Sequence, residues 1–111
     1  MEVHRERDHG PAVLKVIGRI DTATAGDFSN LVDQLVNPET DRSVILDCES
    51  LEYVSSSGLR VLMLLLRRLA AHQGTLALCA LRGPVLGVFE IAGLDTIFRI
   101  FQTREQALAA I

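Results

Sequence analysis

Val44–Leu66 reads VILDCESLEYVSSSGLRVLMLLL, and the class of fold turns on it. Val44-Ile45-Leu46 is a short continuous apolar run ending at Asp47, the pattern of a strand covered on both faces, as in parallel sheets. Leu51–Val54 reads as a linker. Ser55-Ser56-Ser57-Gly58 then opens a long helix, predicted through Gln73 and closed by Gly74. On a helical wheel Leu62, Leu65, Leu66 and Leu69 gather on the side that must face a core. Arg60, Arg67 and Arg68 fall on the opposite side, with Leu64 and Ala71 among them. An apolar strip flanked by arginines beside a serine cluster suggests a docking face. On spacing alone, a leucine-rich helix with an incidentally exposed Leu64 explains the pattern equally well.

Outward from this segment the elements alternate. Glu2–Arg7 is polar on both faces and suits a charge-protected edge strand. His9-Gly10-Pro11 makes a turn into a second strand, Ala12–Ile20. Leu14, Val16 and Ile20 share one face of it, while Val13 and Ile17 share the other with Lys15 and Arg19, so that face is expected to be half covered. Asp21 leads into a helix on which Phe28, Leu31, Val32 and Leu35 keep helical spacing and Asn37-Pro38 ends the run. Thr24–Asp27 has the spacing of a capping box. Beyond the central helix come a buried strand at Thr75–Ala80, a short helix at Val85–Ala92 and a strand at Ile97–Phe101. A terminal helix runs from Thr103 to Ile111, with Gln106 at capping-box spacing. The predicted order is β-β-α-β-α-β-α-β-α: one α/β domain over residues 1–111, with four helices on a mixed sheet of four to five strands.

Composition fits that picture and removes several functions. The chain has 111 residues, 49% hydrophobic and 23% charged, enough for one core and too apolar for disorder. Net charge is −3 with 5% aromatics, so nothing steers it toward nucleic acid. Val61–Leu66, the longest apolar run, is far short of the ~20 residues a membrane span needs, so no membrane insertion is expected. Met1–Asp8 alternates in charge without a signal-peptide pattern, pointing to the cytoplasm. Cys48 and Cys79 lack metal spacing and read as buried thiols in a reducing compartment. His4, His9 and His72 have neither ligand spacing nor a nucleophile motif beside them, and no glycine-rich phosphate loop follows a strand, so neither metal, cofactor nor enzyme activity is expected. Asp47 at a strand end invites comparison with phosphate-accepting receiver domains. Those need an acidic pair where Asp21 stands alone and a late lysine, and the only lysine is Lys15. Asp47 therefore reads as a loop cap or part of an interface.

A serine at a helix start has two uses. It can cap the unpaired N–H groups, or it can carry a phosphate stabilised by the positive end of the helix. Capping is far commoner, but one serine suffices for it and three are present.

The segments LKVIGRID (14–21) and SVILDCESLEYVSSSGLRVL (43–62), followed by Gly93-Leu94 and a closing helix with Thr103 and Ala107-Leu108, resemble the STAS family. That family includes the bacterial anti-sigma-factor antagonists. The resemblance implies a STAS fold and a partner switch. The unphosphorylated antagonist binds an anti-sigma serine kinase and so frees the sigma factor. Phosphorylation of the serine before the glycine ends binding, and a metal-dependent serine phosphatase restores it. By position the acceptor is Ser57, with Ser56 and Ser55 as alternatives. The partner surface would include Asp21, Ser55, Ser56, Gly58, Arg60, Leu64 and Arg67. The family motif reads Asp-Ser-Ser-Gly, and here Ser55 stands in place of the Asp. That departure gives weight to a second role for the same fold, a non-phosphorylated STAS scaffold subunit of a transporter or signalling complex.

Overall fold

The computed structural model describes residues 1–6 and 10–111. Its elements, in chain order, are β1 (Glu2–Arg5), β2 (Ala12–Ile20), α1 (Ala25–Leu35), β3 (Ser43–Asp47), β4 (Leu51–Val54), α2 (Ser56–Ala71), β5 (Thr75–Cys79), α3 (Gly83–Ile91), β6 (Arg99–Phe101) and α4 (Arg104–Ala110). The sheet is mixed, in the order β1-β2-β3-β5-β6, with β4 paired to β2 beside that path. Only the β1–β2 pairing is antiparallel, so the sheet is parallel apart from the initial hairpin. The expected extension of β1 to Arg7 and the His9 turn position lie outside the described residues.

Two layers of helix cover the sheet unequally. Leu14, Val16, Val44, Leu46, Leu76 and Leu78 form one core with Phe28 and Val32 of α1, with Leu59, Leu62, Leu65 and Leu69 of α2, and with Val85 and Phe89 of α3. Val13, Ile45, Ala77 and Cys79 form a smaller core under α4, closed by Ala107. The half-covered face expected of β2 is found: Val13 is fully buried, Ile17 is intermediate and Arg19 is exposed. Cys48 and Cys79 are free and buried, and they belong to opposite cores. Burial pushes both thiols up, Cys79 to about 11.

Leu51–Val54 is a strand rather than a linker, which raises the sheet to six strands among the described residues. β2 runs beside β3 from Ala12 to Lys15 and beside β4 from Gly18 to Ile20, and within the second pairing the register shifts between Gly18 and Arg19, passing over Glu52. Gly18 has φ 97°, a conformation that side chains resist, and its N–H donates to Ser50 O at 2.9 Å. β2 thus changes partner along its length, and its far end sets Ile20 beside Val54 at the approach to α2.

Candidate functional site at the start of α2

Ser55 is fixed at the point where β4 ends. Its N–H donates to Ile20 O at 2.7 Å, and its hydroxyl Oγ accepts the Gly58 N–H at 3.2 Å. It is the N-cap of α2, extended at φ −87° and ψ 172°, and only 9% of it is exposed. The capping role assigned to one of the three serines therefore falls to Ser55. Ser56 follows as the first helical residue and is exposed; Ser57 follows as the second and is half-buried.

Gly58 explains why a glycine must come next. A Cβ there would lie 2.7 Å from Ile20 Cγ2 and 2.8 Å from Val54 Cγ2, both in fully packed side chains. The first turn of α2 thus rests directly on the ends of β2 and β4. This seat sets the rotation of the helix about its axis. Successive residues turn by about 100°, so Ser57 falls on the same face as Arg60, Leu64 and Arg67. Those three are exposed, Leu64 at 49%, while Leu62, Leu65 and Leu69 point inward. Arg68 also reaches solvent, but it pairs with Asp33 of α1.

Asp21 stands at the neighbouring strand end. Its Oδ1 accepts the Thr24 N–H at 2.9 Å, and Thr24 Oγ1 accepts the Asp21 N–H at 2.9 Å. The reciprocal box at the start of α1 is therefore Asp21–Thr24, three residues before the expected Thr24–Asp27. Thr24 itself makes no side-chain cap bond to the helix. Asp21 wins because its carboxylate follows directly from β2 and meets the backbone of the tight turn. The Thr24 backbone N–H, followed by its hydroxyl, holds the Asp21 carboxyl below its ordinary value.

Two further side chains flank the serines and were not singled out from sequence. Arg19 and Tyr53 face each other across the β2–β4 pairing, the guanidinium 4.5 Å from the ring centre, and both are exposed. LEYV carries no period-2 alternation, because Glu52 and Tyr53 are exposed side by side between the buried Leu51 and Val54, so the sequence offers no strand signal for this pair.

Asp47 belongs elsewhere. It is buried, its Oδ1 accepts the Glu49 N–H at 3.1 Å, and its Oδ2 accepts Arg104 Nε at 2.9 Å. Arg104 also pairs with Glu6. The first of these bonds is the loop cap expected of Asp47, and the second anchors α4 to the opposite face. A cavity of about 440 Å³ lies beside Asp47, Ala80, Gln102 and Arg104, and one of about 350 Å³ lies between Met1 and the Thr24–Leu31 side of α1. The serines line neither. Among the described residues there is no group of His, Cys, Asp and Glu placed to hold a metal ion. No helix there is long and apolar enough to cross a membrane.

Comparison with known proteins agrees with this fold. The family model described as STAS domain matches residues 2–107, and the chain belongs to that family. It is 37% identical over 111 residues to BtrV of Bordetella bronchiseptica, provisionally named an anti-sigma factor antagonist, covering 99% of this chain and 94% of that one. The crystal structure of an anti-sigma factor antagonist from Mycobacterium paratuberculosis superposes with a TM-score of 0.86 at 26% identity, covering 99% of this chain and 92% of that one. The Bacillus protein SpoIIAA, solved in its phosphorylated form, shares the fold with a TM-score of 0.72 at 20% identity over 97% of each chain.

Proposed function

We propose that this chain is an anti-sigma-factor antagonist working by partner switching in the bacterial cytoplasm, with no catalytic activity or cofactor of its own. Unmodified, it binds an anti-sigma serine kinase through the start of α2, using Ser56, Ser57, Arg60, Leu64 and Arg67 with Asp21 beside them. Ser55 and Gly58 hold that surface in place. The kinase transfers the γ-phosphoryl group of ATP to Ser57 Oγ, releasing ADP and the hydroxyl proton. A metal-dependent serine phosphatase hydrolyses the phosphoserine to serine and inorganic phosphate.

The observation that carries this reading is the position of Ser57. It shares a helix face with the exposed Arg60, Leu64 and Arg67, whereas the Ser55 hydroxyl is spent on the Gly58 N–H. The names of the relatives support the class of partner. The substitution of Ser55 for the family Asp is compatible with the switch, because a hydroxyl oxygen accepts the same N–H that a carboxylate would. It also leaves the phosphate without an adjacent negative charge.

A phosphate adds about −1.5 to −2 charges at pH 7. Left unpaired at a closed interface, that charge costs several kcal/mol, and about 4 kcal/mol lowers affinity about a thousandfold. The helix start accommodates the phosphate, so binding is lost without a large rearrangement. Incubation with the cognate kinase and ATP, followed by mass spectrometry, is expected to place the phosphate on Ser57. Ser57→Ala is expected to bind the kinase persistently and Ser57→Asp weakly. Equal binding by the two variants, with no phosphate on Ser55, Ser56 or Ser57, would point instead to a fixed scaffold subunit.

A further inference from the structure

A phosphate on Ser57 attracts a neighbouring cation as well as the helix start, and Arg60 is placed to supply one. Side chains three apart on a helix are neighbours, with Cβ atoms ~5–6 Å apart, and Arg60 is exposed on the Ser57 face. Several other charges near the serine are already engaged. Arg19 lies over the Tyr53 ring, Arg68 pairs with Asp33, and the Asp21 carboxylate is taken by Thr24. Glu52 is exposed on β4, and Arg67 lies about two turns beyond Arg60. Because Ser55 caps the helix with a neutral hydroxyl, no carboxylate at that position competes for the guanidinium.

We propose that Arg60 captures the phosphate of phospho-Ser57, and that modification switches the surface by withdrawing this cation as well as by adding charge. In the unmodified protein Arg60 heads the strip formed with Leu64 and Arg67, and it faces an acidic group of the partner. In the modified protein the same guanidinium turns back along its own helix. The strip then loses its leading cation where the phosphate arrives. This inference rests on Ser57 as the modified residue, yet it assigns a role to a side chain on the next turn.

The test uses full-length chain with phosphoserine installed at position 57 during synthesis, so it needs no kinase. The second ionisation of a serine phosphate lies near pH ~6 and is followed by ³¹P NMR in the parent protein, Arg60→Gln and Arg67→Gln. Capture predicts that Arg60→Gln raises the midpoint by about 0.3 pH unit, that Arg67→Gln leaves it unchanged, and that salt shrinks the difference. The same midpoint in the parent and Arg60→Gln would overturn capture. Binding to the cognate kinase tests the withdrawal: phosphorylation should weaken Arg60→Gln by a smaller factor than it weakens the parent, and an equal factor would overturn it. A kinase that never modifies Ser57 would remove the switch while leaving the ³¹P result standing, so the two failures are distinguishable.

Discussion

The starts of α2 and α4 both meet strand ends and both carry a hydroxyl cap, Ser55 and Thr103, but they are fastened to the sheet differently. At α2 the contact is neutral: the Ser55 hydroxyl accepts an N–H, and Gly58 lets the helix lie against Ile20 and Val54. At α4 it is ionic, with Arg104 between the buried Asp47 and Glu6, and Glu6 with Asp47 raises the Arg104 pKa further. A neutral seat can receive a new charge without breaking anything already there. An ionic seat already sets two carboxylates against one guanidinium, and a phosphate would compete for that guanidinium. The start of α2 therefore has room for a new charge that the start of α4 lacks.

Breaking the ionic seat should cost most. Arg104→Met leaves the Asp47 carboxylate, with 8% of its side chain exposed, facing an apolar group. Removing one partner of a buried pair costs about 3–5 kcal/mol, and the partial exposure of Arg104 places the loss toward about 2–3 kcal/mol. Chemical denaturation measures it. Asp47→Asn in the same chain should recover part of the loss, and a strictly additive double mutant would show that the two side chains do not communicate.

Overfilling the neutral seat comes next. Gly58→Ala gains about 1 kcal/mol of helix propensity but drives a methyl group into Ile20 and Val54. Overpacking of this kind costs about 1–3 kcal/mol, so a small net loss is expected. The sharper readout is local. Amide exchange should quicken in the first turn of α2 while β3 and β5 stay protected, the reverse of the pattern for Arg104→Met. Ser55→Ala is milder, because it removes a cap worth about 1 kcal/mol. Ser55→Asp should restore the cap and introduce the charge that this chain lacks, so stability returns while a phosphate on Ser57 titrates at higher pH.

These contrasts show which parts of the molecule local sequence could reveal. The β3–α2 segment was legible because a buried strand, a cap, a glycine and a leucine stripe are all written within it. β4 was not, because Leu51 and Val54 are buried with Glu52 and Tyr53 exposed between them, and its pairing partner is the far end of β2, distant along the chain. Losing β4 also hid the Arg19–Tyr53 pair, which needs both strands. For Asp47 the loop cap is legible but its ion pair is not, because Arg104 stands 57 residues away. At the end of α2 it is Gln73, at φ 62°, that turns left-handed, since Gly74 is pressed against the Arg42 carbonyl. That contact too is invisible along the chain.

The smallest expected effect lies at Asp21, which joins the neutral seat to α1. Its carboxyl is held below its ordinary value by the Thr24 N–H and hydroxyl, so the folded protein binds that proton less readily than the unfolded chain. A carboxylate with a lowered folded-state pKa contributes stability above its unfolded value of about 3.9, and that contribution fades as pH falls through the folded value. Asp21→Asn still offers an acceptor to Thr24 but cannot titrate. Its stability should therefore fall less steeply than the parent's below about pH 4, with the two nearly parallel at neutral pH. Parallel acid limbs would mean that Asp21 is held no more tightly in the folded protein than in the unfolded chain. The turn that carries β2 to the edge of the serine site would then owe nothing to the charge.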